Sequence, residues 1–197
     1  MNVRYNKRTY APTRRRSRWN SINWKKIEKW VRKLQVRIAK AAQARKMRYM
    51  KSLQWILTHS YYARLLAVRR VTTNKGKRTS GIDGVRWKTS RQKMRAVLLL
   101  KRRNYRASPL KRVYIPKKSG KKRPLSIPTM HDRAMQALYA LALAPVAETW
   151  ADPNSHGFRE GRSCADAIGK CFNTLAPSTA PTWILEGDIK SCFDTID

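Results

Sequence analysis

The sequence predicts an α+β chain in which helices come first and strands later. Three observations carry that prediction. From Ile22 to Val71, apolar residues recur at three- and four-residue steps, the period of helices with a buried stripe. From Lys111 to Ile127 the pattern changes to alternation around a cationic turn, as in a β-hairpin. Further on, Trp183-Ile184-Leu185-Glu186-Gly187-Asp188 is a short apolar run that closes in Gly-Asp and reads as a buried strand.

Charge bounds the partner. The 197 residues hold 45 Lys and Arg against 11 Asp and Glu, a formal net charge of +34. Self-repulsion at that density disfavours a compact state unless a polyanion supplies counter-charge. Nucleic acid is the partner this implies, with an anionic membrane surface as the alternative. A hydrophobic fraction of 42% excludes a wholly disordered basic tail. No apolar run reaches membrane-spanning length, and no signal-peptide apolar region follows the basic start. Cys164, Cys171 and Cys192 fit no zinc-ligand spacing and read as reduced, partly buried thiols. Charge is also unevenly placed: Glu28 is the only acid before Asp83, and most other acids follow Asp132.

Taken in order, residues 1–20 form a basic arm, with Arg14, Arg15 and Arg16 among polar and Pro residues, expected to order only on phosphate. The stripe Ile27, Val31, Leu34, Ile38 and Ala42 predicts a first helix, with Trp24 and Trp30 near it. Lys25, Lys26, Lys29, Arg32, Lys33, Arg37 and Lys40 cover much of its remainder. A solvated face usually mixes signs, so this face favours RNA. Met50, Leu53, Ile56, Leu57, Tyr61, Leu65 and Val68 predict one further amphipathic helix. Thr72 to Gly84 is turn chemistry carrying Lys75, Lys77 and Arg78. It is either a linker or a loop whose glycines let backbone approach phosphates. Arg86 to Arg103 reads as a helix with Val97, Leu98 and Leu100.

In the hairpin, Val113 and Ile115 face one way and Tyr114 the other, and Pro124 fits only an edge strand. Its cationic tip, Lys117 to Lys121, either protects an edge from aggregation or closes on phosphates. Thr129-Met130-His131-Asp132 is a capping-box pattern opening a helix over 133–143, which Pro145 should break or kink. Ser163-Cys164-Ala165-Asp166 opens a second, with Ile168, Cys171, Phe172 and Leu175. Asp188, closing the last run, is either a loop acid or cap, or a carboxylate held at a strand end for a metal ion.

These blocks resemble, in order, those of group II intron reverse transcriptases, the intron-encoded maturase family. Leu34-Gln35-Val36-Arg37-Ile38 and Leu53-Gln54-Trp55-Ile56-Leu57 are similar to the family's N-terminal extension. Ala67-Val68-Arg69-Arg70-Val71-Thr72 and Gly81-Ile82-Asp83-Gly84 resemble the block before the fingers. The stretches from Pro109 to Lys117 and from Lys122 to Pro128 resemble the fingertip hairpin. Ser155-His156-Gly157-Phe158-Arg159 with Arg162-Ser163 and Asp166-Ala167-Ile168 resembles the next block, and the run into Asp188 the first palm block.

The resemblance implies a right-hand polymerase, present here as a helical RNA-binding extension (21–71), fingers (72–182) and the start of the palm (183–197). It implies that Asp188, with the backbone carbonyl of Ile189 nearby, binds catalytic Mg²⁺. Lys117 and Arg123 would grip the triphosphate of a dNTP, and Phe193 would pack under its sugar. Lys25, Lys29, Arg32, Lys33 and Arg37, with the arm and the 75–78 loop, would bind group II intron RNA. A DNA target or primer would be a partner of the complete protein. The family's Tyr-Xaa-Asp-Asp block, which brings the remaining metal carboxylates, does not occur in these 197 residues. The chain is therefore expected to be the N-terminal part of a longer polypeptide or a relic, and inactive alone. A cytoplasmic bacterial ribonucleoprotein is the expected setting, with an organelle as the alternative. The competing readings are a non-catalytic splicing cofactor and a generic basic RNA-binding protein.

Overall fold

The computed structural model describes residues 19–116, 120, 122–180 and 182–189. The chain divides into two units, Met1–Trp150 and Ala151–Asp197, each taken by itself. The α+β prediction holds: the described residues form helices and one two-stranded antiparallel sheet.

The first unit is a helical core with a hairpin. A 3-10 turn at Trp19–Ser21 leads to α1 (Trp24–Gln43), capped by the Asn23 side chain, which accepts from the Lys26 amide at 3.0 Å. Ile27, Val31, Leu34, Ile38, Ala41 and Ala42 form its buried stripe, as the spacing predicts. Where the sequence suggests one further helix there are two, α2 (Met47–His59) and α3 (Tyr61–Thr73). Ser60 causes the break. Its backbone is extended and its hydroxyl accepts from the Ala63 amide at 3.0 Å, so it caps a new helix instead of continuing the old one. The new direction buries Leu65 and Val68 and leaves Ile56 and Tyr61 exposed.

After a 3-10 turn at Lys75–Arg78, α4 (Ser90–Leu99) starts four residues later than the apolar pattern suggests. Thr89 and Gln92 make a reciprocal capping box that fixes the start. Val97 and Leu100 are buried, whereas Leu98 is exposed.

The long helix α5 (Met130–Trp150) packs against α1, α2 and α3, and it supplies Met130, Met135 and Leu138 to the core. Each such fully buried side chain contributes roughly 1.5–3 kcal/mol through removal from water. Of the break or kink expected at Pro145, the break does not occur: the proline lies inside one continuous helix. A proline lacks the N–H that the carbonyl four residues back would accept. That carbonyl, on Leu141, instead accepts from Gln35 Nε2 of α1 at 2.9 Å, and the next, on Ala142, from Gln54 Nε2 of α2 at 3.0 Å. Two glutamines from neighbouring helices thus satisfy the backbone around the proline.

The hairpin pairs β1 (Lys111–Pro116) with β2 (Lys122–Ile127), Val113 opposite Leu125 and Tyr114 opposite Pro124. Val113 is half-buried, and Tyr114 and Ile115 are exposed. Pro124 is tolerated because both strands are edges.

The second unit contains α6 (Cys164–Leu175), started by the Ser163–Asp166 capping box that the sequence predicts. No residue of α6 is buried, and Cys164 and Cys171 are exposed rather than partly buried. The run 183–189 is not a strand. Trp183, Ile184, Leu185 and Ile189 are exposed, and no described strand pairs with the run to satisfy its backbone groups.

Candidate nucleic-acid interface

The helical period that builds α1's buried stripe also places its cations. Lys25, Lys29, Arg32, Lys33 and Arg37 fall on the opposite side and are exposed, along a helix about 30 Å long. The only acid on α1, Glu28, is paired with Arg69 of α3 at 2.5 Å, and Arg69 also lies 4.6 Å from the Trp24 ring centroid. The one negative charge on this helix is therefore already engaged. Arg37 is partly engaged as well: its Nη2 donates to the Tyr49 hydroxyl at 2.6 Å. Lys75, Lys77 and Arg78 are exposed on the 3-10 turn that packs on α3. Arg14, Arg15 and Arg16 lie outside the described residues.

The start of α5 organises the loops around this unit, and sequence reading recognised only its cap. Thr129 accepts from the Asp132 amide at 3.1 Å, as a cap should. The Asp132 carboxylate does not return to the Thr129 amide. It is buried and accepts from the hydroxyls of Tyr105 and Thr129, each at 2.7 Å, and from the Ser108 amide at 3.3 Å. Burial alone would raise this carboxyl; hydrogen bonds from Thr129, Tyr105 and Ser108, with His131 beside it, outweigh burial and hold it below its ordinary value. Burial and the Asp132 carboxylate together push the Tyr105 phenol up to about 12.

The next residue serves a second loop. Arg133 donates from Nη1 to the Gly76 carbonyl at 2.9 Å and from Nη2 to the Thr79 carbonyl. Gly81 is buried against the backbone of Pro128 and Thr129. The close approach this glycine permits is to protein backbone. Arg102 acts similarly, donating to the hydroxyls of Tyr139 at 3.2 Å and Thr58 at 3.1 Å. Arg69, Arg102 and Arg133 are thus structural cations, distinct from the outward row on α1.

The residues expected to serve polymerisation are less built. Arg123 is exposed on β2, opposite Ile115. Lys117 and Phe193 lie outside the described residues. Asp188 is exposed, and its Oδ1 accepts from the adjacent Ile189 amide at 2.9 Å. Among the described residues no three His, Cys, Asp or Glu side chains gather as a metal site. Oxygen donors of the right hardness for Mg²⁺ are present in Asp188 and the Ile189 carbonyl, but among the described residues they are not a complete set.

Comparison with known proteins agrees with this layout. Residues 19–100 match the family described as the N-terminal domain of reverse transcriptase, and residues 115–197 match reverse transcriptase (RNA-dependent DNA polymerase). The chain belongs to the reverse transcriptase family. Protein YkfC of Escherichia coli K12 is 41% identical over 138 residues, 66% of this chain and 36% of that protein. Group II intron-encoded protein LtrA of Lactococcus lactis is 38% identical over 135 residues, 67% of this chain and 22% of that protein. Maturase-like protein 1 of Euglena gracilis is 30% identical over 147 residues, 72% of this chain and 31% of that protein. The match spans about a third or less of two of these relatives and little more of the first. In this chain the two matched regions are separated by residues 101–114, the segment that Asp132 and Arg102 tie to the helical core. No helix among the described residues is long and apolar enough to cross a membrane.

Proposed function

We propose that this chain is the N-terminal portion of a group II intron-encoded reverse transcriptase that binds its intron RNA, assists splicing and copies the RNA into DNA. The observation that carries the reading is an N-terminal reverse transcriptase domain whose first helix presents an almost uncompensated cationic face, joined in order to the polymerase domain. RNA binding rests on Lys25, Lys29, Arg32, Lys33 and Arg37, extended by Lys75, Lys77, Arg78 and the Arg14–Arg16 arm. Phosphoryl transfer asks little covalent chemistry of a protein and much positioning and charge. Mg²⁺, when bound, neutralises phosphate charge and activates the attacking oxygen. Asp188 supplies one carboxylate toward it, with the Ile189 carbonyl nearby. The remainder of the polypeptide supplies the others, in the Tyr-Xaa-Asp-Asp block. Arg123 and Lys117 hold the dNTP phosphates, Arg with the planar fork that suits them, and Phe193 walls the sugar. Two of the relatives named above are bacterial, which fits a cytoplasmic ribonucleoprotein. A splicing cofactor without catalysis is the second reading, favoured by the contrast between the finished α1 face and an Asp188 that gathers no further metal ligands among the described residues.

Reciprocal substitutions in the full-length protein separate the two roles. Asp188→Ala should abolish DNA synthesis and leave splicing nearly intact; an equal fall in both would sink the division of labour. Neutralising Lys29, Arg32, Lys33 and Arg37 should weaken RNA affinity and flatten its dependence on salt, by roughly 0.7–0.9 in log–log slope per lost phosphate contact. An unchanged slope would remove α1 from the interface. The 197-residue chain alone, with one carboxylate of the set, should not extend a primer.

A further inference from the structure

We infer that the outer side of α2 is a stacking platform for an unpaired base of single-stranded RNA, built from Trp55 and His59. The inference rests on the RNA-binding reading above and adds to it a base-contacting site on a different helix from the cationic row of α1.

Trp55 is 58% exposed on a helix whose core side is already filled by Met50, Leu53 and Leu57. It is therefore not a core residue at the margin. Its ring lies against that of His59, with centroids 4.1 Å apart and planes 25° from parallel. His59 is fixed in turn. Its Nδ1–H donates to the Trp55 carbonyl at 2.7 Å, and its own carbonyl accepts from Arg64 Nη2 at 3.1 Å. An exposed aromatic pair locked by one helical turn and by the next helix has already lost much of the rotamer freedom that binding would otherwise cost.

The surroundings select the occupant. Arg48 and Lys51 lie two turns and one turn before Trp55 on the same side, and both are exposed. α2 has no acid along its length, and the nearest in sequence, Glu28, is paired with Arg69. Along its own side of α2 Trp55 is flanked by Arg48, Lys51, Ser52 and His59, with Ile56 exposed beside it, so cations and an aromatic ring dominate its surroundings. Aromatic faces between cations suit a strand whose bases are free to stack while its phosphates meet the flanking charges. A duplex hides its base faces and cannot use the platform.

The test compares the 197-residue chain with its Trp55→Ala and Trp55→Phe variants at several salt concentrations. The probes are a single-stranded RNA oligonucleotide carrying 2-aminopurine and a blunt RNA duplex of the same length. The wild-type chain should quench 2-aminopurine on binding. Trp55→Ala should weaken single-strand binding by about tenfold, with duplex affinity, salt slope and helical melting unchanged. Trp55→Phe should keep most of the affinity. Single-strand affinity and quenching unchanged in Trp55→Ala, beside a normal salt slope, would overturn the platform and leave the RNA-binding reading standing. If the wild-type chain bound neither RNA in a salt-dependent way, that reading would itself fail. Loss of a protein contact by Trp55→Ala with RNA binding intact would make α2 a protein dock and refute the inference.

Discussion

Replacing Asp132 tests whether the start of α5 is the anchor for the segment between the two matched regions. Three donors converge on this buried carboxylate: the hydroxyls of Tyr105 and Thr129 and the amide of Ser108. Hydrogen bonds to a charged group are worth about 1.5–3 kcal/mol each against 0.5–1.5 for neutral pairs. In Asp132→Asn one acceptor oxygen becomes a donor. The amide can keep its oxygen on the Ser108 N–H and the Thr129 hydroxyl and turn its NH2 to the Tyr105 hydroxyl, which rotates to accept, so what is lost is the charge behind all three bonds. The expected loss is about 2 kcal/mol for Asn and about 3–4 for Ala, since the bonds share one carboxylate and do not add fully. At 2–4 °C per kcal/mol for a chain of this size, melting should fall by about 6 °C and about 10 °C respectively.

The pH dependence has a defined sign. The carboxyl of Asp132 lies below its ordinary value in the fold, so its contribution is present above about pH 4 and fades as pH falls through the folded value. The gap between wild type and Asp132→Asn should therefore be flat from about pH 5 to 8 and narrow in acid. Tyr105 behaves oppositely: raised to about 12, it contributes below its unfolded value near 10.0 and loses that contribution between the two. Thermal melts across pH, with hydrogen exchange at Ser108, read both effects. An Asn variant melting within about 1 °C of wild type at neutral pH, with Ser108 equally protected, would refute the anchoring argument.

Two further substitutions probe the same core. In Gly81→Ala the added Cβ would sit 2.6 Å from Thr129 Cα and 2.7 Å from Thr129 N, so backbone must move. A cost of about 2–3 kcal/mol is expected in denaturant melts, whereas Gly157→Ala, which meets nothing within 4 Å, should be close to neutral. Gln35→Ala should cost about 1 kcal/mol by removing the donor to the Leu141 carbonyl. Much of that cost should vanish in a Pro145→Ala background, where a new N–H takes the same carbonyl; equal costs in both backgrounds would detach Gln35 from the proline.

What the sequence made legible was local. The stripe from Ile27 to Ala42 predicts α1 because one helix face meets one core. The hairpin over 111–127 and the Ser163 cap are likewise set by neighbouring residues. The errors fall where a second signal competes with periodicity. Ser60 interrupts an apolar stripe, and the Thr89–Gln92 box, itself readable, delays α4. The helix through Pro145 depends on Gln35 and Gln54, which are distant in sequence and give no local hint. Asp132 was visible as a cap, but its bonds to Tyr105 and Ser108 join segments more than twenty residues apart. The Trp55–His59 pair was readable as i, i+4 spacing, yet its exposure follows only from the direction in which α2 packs.

The two functional halves differ for the same physical reason. A cationic face on a helix is complete once the helix has a core to lie on: α1 buries one side against α2, α3 and α5 and thereby aims Lys29, Arg32 and Lys33 outward. RNA binding can therefore reside within these residues. A carboxylate metal site is collective. It requires a strand whose backbone is paired and further carboxylates brought within reach, and Asp188 sits on an unpaired, exposed run with its oxygen on its own neighbour's amide. Motif order makes this Asp a candidate, whereas geometry alone would pass it over as a loop acid. Its role in the proposal thus depends on residues elsewhere in the polypeptide in a way that the role of α1 does not. For that reason the Asp188→Ala test belongs in the full-length protein, and the stacking test on α2 can be run on the chain alone.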